Sequence, residues 1–492
     1  MKKLIIYSIG LAVLVTSVSC EKRFDELNVN PSNPENAPSQ MLLANAIINT
    51  AYRIQLTAGL NLADQWMQQT RATTYMEEDR YSPRAGNVTN LVWSSLYSVS
   101  FADCVLASNL AKTNNQPDNE AIGYILKAYI GYNLTMLYGD VPYTQAAQGK
   151  EYVKPVYDGQ KVVLEAVIAD LDKAIAIIGG TTDATVAEEL TKYDYIYGGK
   201  MQKWKKLANG LKLRAYLALT TGGTDKKAEI NALLASPDIF QSTADDAKLT
   251  YVAATGASNP VFQWITSARK DDFRMSSSLV DYMMGSSVDL TNPADPRLKI
   301  YADPVAKGAN AGKYVGGKNG FKGAIGDNST LGSKFYNATS PFVFMSYAEV
   351  LFIKAEMDPT NAANYTAAVT ASFVQNGLTA TDATTALLDP KFAFNPAKGE
   401  QLIAEQKWIA LYGQGVEAFN NWRRTGFPLL APATLAATNG GTIPRRVCYN
   451  TDELILNTSN ATAASGTLTP AVDVVSSKTW FDRNHPLNFG NK

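Results

Sequence analysis

Apolar positions along this chain recur mainly with a helical period. In Leu164, Val167, Ile168, Leu171, Ile175 and Ile178 the offsets are 0, 3, 4, 7, 11 and 14. That spacing places one apolar stripe along a helix. Trp204, Leu207, Ala208 and Leu211 repeat it, and Leu213, Tyr216 and Leu217 extend it onto a neighbouring face. A helix apolar on two sides is sandwiched between others. The predicted helices fall into pairs: about 90–112 with 118–138, 160–178 with 200–220, 345–357 with 361–376, and 400–413 with 415–425. Antiparallel pairs of this size suggest tetratricopeptide-like units. Each unit buries its open face only against the next, so four are expected to build one curved solenoid.

Two long stretches break the period, at about 225–340 and 428–492. The first is rich in Gly, Asn, Asp and Ser, as in Gly308-Ala309-Asn310-Ala311-Gly312 and Gly316-Gly317-Lys318-Asn319-Gly320. Loops this long are usually functional or disordered, and the tryptophans and tyrosines spread through them argue against disorder.

The N-terminus has a different pattern. Met1-Lys2-Lys3 precedes an apolar run from Leu4 to Val15, and Ser17-Val18-Ser19 supplies small residues before Cys20. This describes a secretory signal over residues 1–19. A cysteine at the first mature position looks like a lipobox, with Cys20 as the lipidated residue. Ser17 stands where most lipoboxes carry Leu, and the alternative is an ordinary secretory cysteine. Two or more acyl chains anchor a protein stably. The leader is shorter than a spanning helix of roughly 20 apolar residues, and no later stretch is expected to span a membrane. Residues 20–40, with Asn28-Val29-Asn30-Pro31-Ser32-Asn33-Pro34, read as a polar tether rich in turn formers. Residues 41–492 follow as one helical domain carrying the two loop-rich insertions.

Composition narrows the partners. Removing the first 19 of 492 residues leaves 473, above the ~250–300 at which a single core stops growing, so several domains or an elongated repeat core are open. Lys+Arg and Asp+Glu are equal at 45 each, which leaves no basic excess to attract nucleic acid. Cys104 and Cys448 could pair but are expected as two buried free thiols. No C-x-x-C is present, so zinc and thiol redox chemistry have no support.

Nothing in the sequence reads as catalytic. The single histidine, His485, precedes Pro486 in the tail, and no Gly-x-Ser-x-Gly elbow occurs. Glu77-Glu78-Asp79 and Asp271-Asp272 are read as solvated loop charge, although a glycosidase would need two such carboxylates. Asp289, Asn292, Asp295 and Asp303 offer oxygens to calcium, but no EF-hand pattern appears. No cofactor and no metal are expected.

Five runs carry a resemblance. They are Leu137-Tyr138-Gly139-Asp140-Val141-Pro142-Tyr143; Lys203-Trp204-Lys205-Lys206-Leu207-Ala208-Asn209-Gly210-Leu211-Lys212-Leu213-Arg214; Ser346-Tyr347-Ala348-Glu349-Val350 with Ala355-Glu356; Gln406-Lys407-Trp408 leading to Asn421-Trp422-Arg423-Arg424-Thr425-Gly426; and Ile443-Pro444-Arg445-Arg446. In this order and spacing they resemble the SusD/RagB family of Bacteroidetes outer-membrane lipoproteins, in its SusD-like branch. Trp480-Phe481-Asp482 departs slightly, since relatives often have a second Trp there. The resemblance implies an all-α fold, with four tetratricopeptide-like helix pairs forming a curved solenoid under long irregular ligand-binding loops. It also implies a lipid-anchored protein on the cell surface, in the outer membrane. There it would bind an oligosaccharide or a peptide and act as lid for a SusC-like TonB-dependent barrel, with no chemistry on the ligand. A surface glycoside hydrolase and a protein-binding tetratricopeptide scaffold are the alternatives.

The same motifs have physical readings. Gly139-Asp140 and Pro142 stop a helix. Trp204 and Trp408 read as core anchors. Arg214, Arg423, Arg424, Arg445 and Arg446 are expected to satisfy carbonyls or carboxylates such as Glu349 and Glu356. A sugar site needs aromatic faces and placed polar groups, so the useful aromatics lie off the helical stripes. Tyr75 and Tyr81 flank a polar loop. Trp264, followed by Arg269, Asp272, Phe273 and Arg274, lies in the inserted segment, and Tyr314 sits among glycines. Tyr75, Tyr81, Trp264, Arg274 and Tyr314 are the candidate ligand residues, each weighed against plain packing under loops.

Overall fold

The computed structural model describes residues 37–83, 88–180, 183, 188–323, 325–433, 435 and 441–482. The leader, Cys20, most of the tether and His485 lie outside the described residues. Among the described residues helices dominate, and the sheets are three short two-stranded ladders, so the class is all-α.

The first helix among the described residues was not legible in the periodicity. α1 (Ser39–Tyr52) begins inside the expected tether and runs on as a π-helix, Arg53–Ala63, and a last turn, Asp64–Trp66. Next, α2 (Val88–Ser95) continues through a π-stretch, Leu96–Phe101, into α3 (Ala102–Thr113), and α4 (Pro117–Tyr138) returns beside it. α5 (Gln160–Ile178) and α6 (Met201–Thr221) form the second pair. α7 (Tyr347–Met357) with α8 (Ala362–Gln375), and α9 (Gly399–Ala410) with α10 (Gly415–Thr425), form the third and fourth. α3 packs on α4, α4 on α5 and α5 on α6, while α7 touches both α8 and α9. The helix from Val88 to Thr113 is long and apolar enough to cross a membrane by length and composition, contrary to the sequence expectation. Here it packs against α1 and α4 as core helices do.

Local chemistry explains the corners. Gly139 ends α4 at φ 94°, a conformation that favours glycine. The neighbouring Asp140 carboxylate then accepts the Gln160 N–H at the head of α5 and the Thr467 hydroxyl, both at 2.8 Å. The run around Leu137–Tyr143 is thus a helix-to-helix joint.

The arginines and tryptophans act as the sequence suggests. Trp204 and Trp408 are fully buried, with indole N–H groups on Asp194 and the Met67 carbonyl. Arg214 makes a bidentate pair with Glu349, both bonds at 2.7 Å, and ties α6 to α7. Arg424 pairs with Glu356 at 2.6 Å. Arg423 donates to the Met136 and Arg445 carbonyls, Arg446 to the Tyr138 carbonyl, and Arg445 to Asp482. Such forks satisfy helix-end carbonyls that would otherwise be stranded. One buried apolar cluster runs from Leu43 to Phe481, and a second, with Phe352, Tyr365, Phe373 and Ile403, fills the space between α7, α8 and α9. Cys104 is a buried free thiol. Cys448 is also free, but it is only partly buried, which differs from the expectation of two buried thiols.

The inserted segment contributes at least one strand to each of these ladders. Strands are β1 (Thr70–Ala72), β2 (Ala247–Leu249), β3 (Phe273–Met275), β4 (Ala302–Asp303), β5 (Thr330–Leu331) and β6 (Phe342–Met345). β1 pairs with β3, β2 with β6 and β4 with β5, all antiparallel.

Candidate functional site

The loop after the first helix meets the inserted segment along β1 and β3. Thr70 lies opposite Met275, Arg71 opposite Arg274, and Ala72 opposite Phe273. The pairing continues beyond the strands. The Thr73 N–H donates to the Asp272 carbonyl at 2.8 Å, and the Thr74 hydroxyl donates to the Asp272 carboxylate at 2.6 Å. The short helix Pro260–Thr266 is capped by Asn259, which accepts the Val261 and Phe262 N–H groups. Ser267 then binds the Trp264 carbonyl and the Arg269 N–H. These bonds hold the 264–273 stretch over Tyr75.

A clasp of buried groups lies beneath. Asp79 is fully buried and accepts from Asn319 Nδ2 and the Gly320 N–H, both at 2.6 Å. Arg71 donates to Asn328 and to the Phe321 carbonyl, both at 2.9 Å, and Arg80 donates to the Gly320 carbonyl. A Cβ at Gly317 would fall 2.1 Å from Arg71 Nη1, so only glycine lets the loop pass this close. Burial pushes the Asp79 carboxyl up to about 7, with the Gly320 and Asn319 hydrogen bonds acting in the opposite sense.

Above the clasp is a cavity of about 200 Å³. Tyr75, Trp264 and Phe273 give it aromatic walls, and Asn61, Gln65 and Glu78 give it polar ones. Tyr75 is 59% exposed and held at φ 49°. A bulky side chain rarely adopts that conformation, and such strain collects at ligand sites. The Arg269 guanidinium lies 4.1 Å from the Trp264 ring and 5.2 Å from the Tyr75 ring, and Asp272 holds it at 2.6 Å. Two of the lining residues each keep a buried polar atom, Gln65 Oε1 and Trp264 Nε1, with no hydrogen-bond partner among the described residues. Gln65 is 2% exposed, and its amide N–H is already given to the Leu60 carbonyl. A buried group left unpaired costs about 1–3 kcal/mol. A ligand group that reached both atoms would meet one acceptor and one donor beside an aromatic face. A hydroxyl group can serve both.

The five expected ligand residues divide. Tyr75 and Trp264 come together at this cavity. Arg274 lies across β3 from it, buried, with Asp271 and three backbone carbonyls as partners. Tyr81 turns into the core at φ 63°, and its hydroxyl accepts the Ala433 N–H at 2.8 Å. Tyr314 is also buried, with its N–H on the Leu290 carbonyl, and lines neither this cavity nor the one beside Arg274. Asn61 and Gln65 were missed. Their signal is a polar residue set within an apolar helical run. The four suggested calcium oxygens are already engaged apart: Asp295 by Arg297, Asp289 by Thr291, Asp303 by Ser333 and Asn292 by Lys299.

A family model described as SusD-like, starch-binding associating with the outer membrane, matches residues 31–450. No curated protein sequence matches the chain. Among solved structures, a chitin-binding protein superposes with a TM-score of 0.76 at 23% identity, over 91% of this chain and 100% of its own. A SusD homologue from Bacteroides uniformis gives 0.76 at 22% identity, over 90% and 99%. A chitin-binding SusD homologue from Flavobacterium johnsoniae gives 0.74 at 23% identity, again over 90% and 99%. At these identities the likeness is one of fold.

Proposed function

The chain belongs to the SusD-like family of starch-binding, outer-membrane-associated proteins, and on that premise we propose that it is a cell-surface carbohydrate-binding lipoprotein. In this reading Cys20 carries the lipid, and the body acts as lid for a SusC-like TonB-dependent barrel. The observation that carries the carbohydrate assignment is the cavity between Tyr75 and Trp264, whose lining residues Gln65 and Trp264 each keep an unpaired buried polar atom. A sugar ring stacks its C–H face on the aromatics, while its hydroxyls accept from Trp264 and donate to Gln65. Arg269 then either slides aside from Trp264 or clamps the sugar from the rim. No bond of the ligand is broken. The carboxylate of Asp272 is spent on holding Arg269 and Thr74.

Calorimetry with starch-derived and chitin-derived oligosaccharides tests this. Trp264→Ala and Tyr75→Ala are each expected to weaken binding about tenfold, the loss of about 1.4 kcal/mol of contact. Absence of binding to any glycan, or unchanged affinity in both variants, overturns the assignment. Co-purification of a large outer-membrane barrel from detergent extracts is the expected sign of the lid role, and repeated isolation as a lone protein counts against it.

A further inference from the structure

A larger cavity, about 640 Å³, opens on the other side of the turn that carries Arg269 and Asp272. Phe273 lines both cavities. Its floor is apolar, with Phe262, Ile265, Leu331 and Tyr336. The polar part of its wall is rich in cations: Lys270, Arg274 and Lys307 face two carboxylates, Asp271 and Asp303.

The pairing within this wall is uneven. Arg274 is buried, binds three carbonyls and takes Asp271 at 2.6 Å. Asp303 is occupied by the N–H and hydroxyl of Ser333, at 3.0 and 3.1 Å. Lys270 and Lys307 form no ion pair among the described residues, although both lie near enough to Asp271 to help hold its carboxyl low, after the Arg274 hydrogen bond. Two lysines thus line the same cavity as a carboxylate that a guanidinium already neutralises. An added anion in this cavity gains attraction from both lysines and displaces no existing pair.

We infer that this cavity is a second, cationic subsite that takes an anionic substituent, a carboxylate or sulfate, of a glycan whose neutral ring stacks at Tyr75 and Trp264. The inference rests on the carbohydrate-binding reading above. The shared Phe273 wall makes the two cavities neighbours along one ligand, and the turn 269–272 separates the stacking face from the charged one.

Affinity electrophoresis of the full chain tests it, in gels containing polygalacturonate (carboxylate), chondroitin sulfate (sulfate), neutral starch or chitin oligosaccharide, or polyglutamate as a sugar-free polyanion. The expected result is retardation by at least one acidic glycan. Lys270→Gln with Lys307→Gln reduces it about five- to tenfold at low salt and leaves neutral-glycan retardation unchanged. The carboxylate and sulfate arms identify which substituent is taken. The inference is overturned if the double variant keeps full acidic-glycan binding, or if polyglutamate retards the protein equally. It is also overturned if only neutral glycans bind, in which case the carbohydrate reading survives. Retardation by no glycan at all overturns both.

Discussion

Removing the charge of Arg214 should cost more than removing that of Glu349. The pair is buried, with side chains 2% and 1% exposed, and both bonds measure 2.7 Å. A second carboxylate, Glu417, lies 3.8 Å from Arg214 Nε. Burial raises the Glu417 carboxyl against the pull of Arg214, and Glu349 raises it further. Breaking a buried pair by removing one partner costs about 3–5 kcal/mol. Glu349→Leu falls at the low end, near ~3 kcal/mol, because Arg214 keeps Glu417 and the Phe344 carbonyl as partners. Arg214→Met strands two carboxylates without their cation and falls at the high end, near ~5 kcal/mol. Urea unfolding followed by far-UV circular dichroism at pH 7.5 measures both. Stranded carboxylates take up protons on folding, so the Arg214→Met deficit should shrink as the pH falls towards 5. Equal costs, a larger cost for Glu349→Leu, or a deficit that grows on acidification would refute the argument.

Other predictions follow from single buried groups. Asp64 is fully buried, its Oδ1 has no partner among the described residues, and burial pushes its carboxyl from 3.8 up to about 7. The folded state then holds a proton that the unfolded chain has released. Stability should fall as the pH rises from about 4 to about 7, by up to ~4 kcal/mol, and level off above. Asp64→Asn should reduce the slope of a melting-temperature profile over that window, leaving the part that Asp79 contributes by the same burial, and an unchanged slope would sink the idea. Tyr81→Phe removes the acceptor of the Ala433 N–H, so unfolding measurements should show a loss of about 1–3 kcal/mol. Glycan affinity should stay intact, and an affinity loss without a stability loss would return Tyr81 to the binding site.

Helices in the pairs were legible where an apolar stripe recurs along them and a glycine follows: the expected 160–178, 200–220 and 415–425 stand at Gln160–Ile178, Met201–Thr221 and Gly415–Thr425, closed by Gly179, Gly222 and Gly426. The helix from Ser39 to Trp66 was not, for two reasons. It buries Gln55, Thr57, Asp64 and Gln65 along with its apolar residues, and its middle is a π-helix, so neither composition nor a 3.6-residue period marks it. Half of the candidate site could be found from aromatics off the helical stripes, as Tyr75 and Trp264 were. Tyr81 looked identical in sequence and shares the left-handed backbone of Tyr75, yet its ring is buried and its hydroxyl takes the Ala433 N–H, a partner far along the chain. Gln65 and Asn61 became visible only once long-range pairing of β1 with β3 placed them at the wall.

The buried clasp under the cavity bears on how this protein can be re-engineered. Asp79 binds Asn319 and the Gly320 N–H, and Arg71 binds Asn328 and the Phe321 carbonyl close against Gly317, so the clasp is satisfied from within the chain, whereas Tyr75 and Arg269 stand at the rim. A library that randomises rim positions such as Tyr75, Arg269, Lys270 and Lys307, and freezes the clasp, samples new sugar preferences on an unaltered foundation. The opposite library, varied in the clasp, would return mostly unfolded loops. Specificity and foldability are assigned to separate residues here, so one can drift while the other is held.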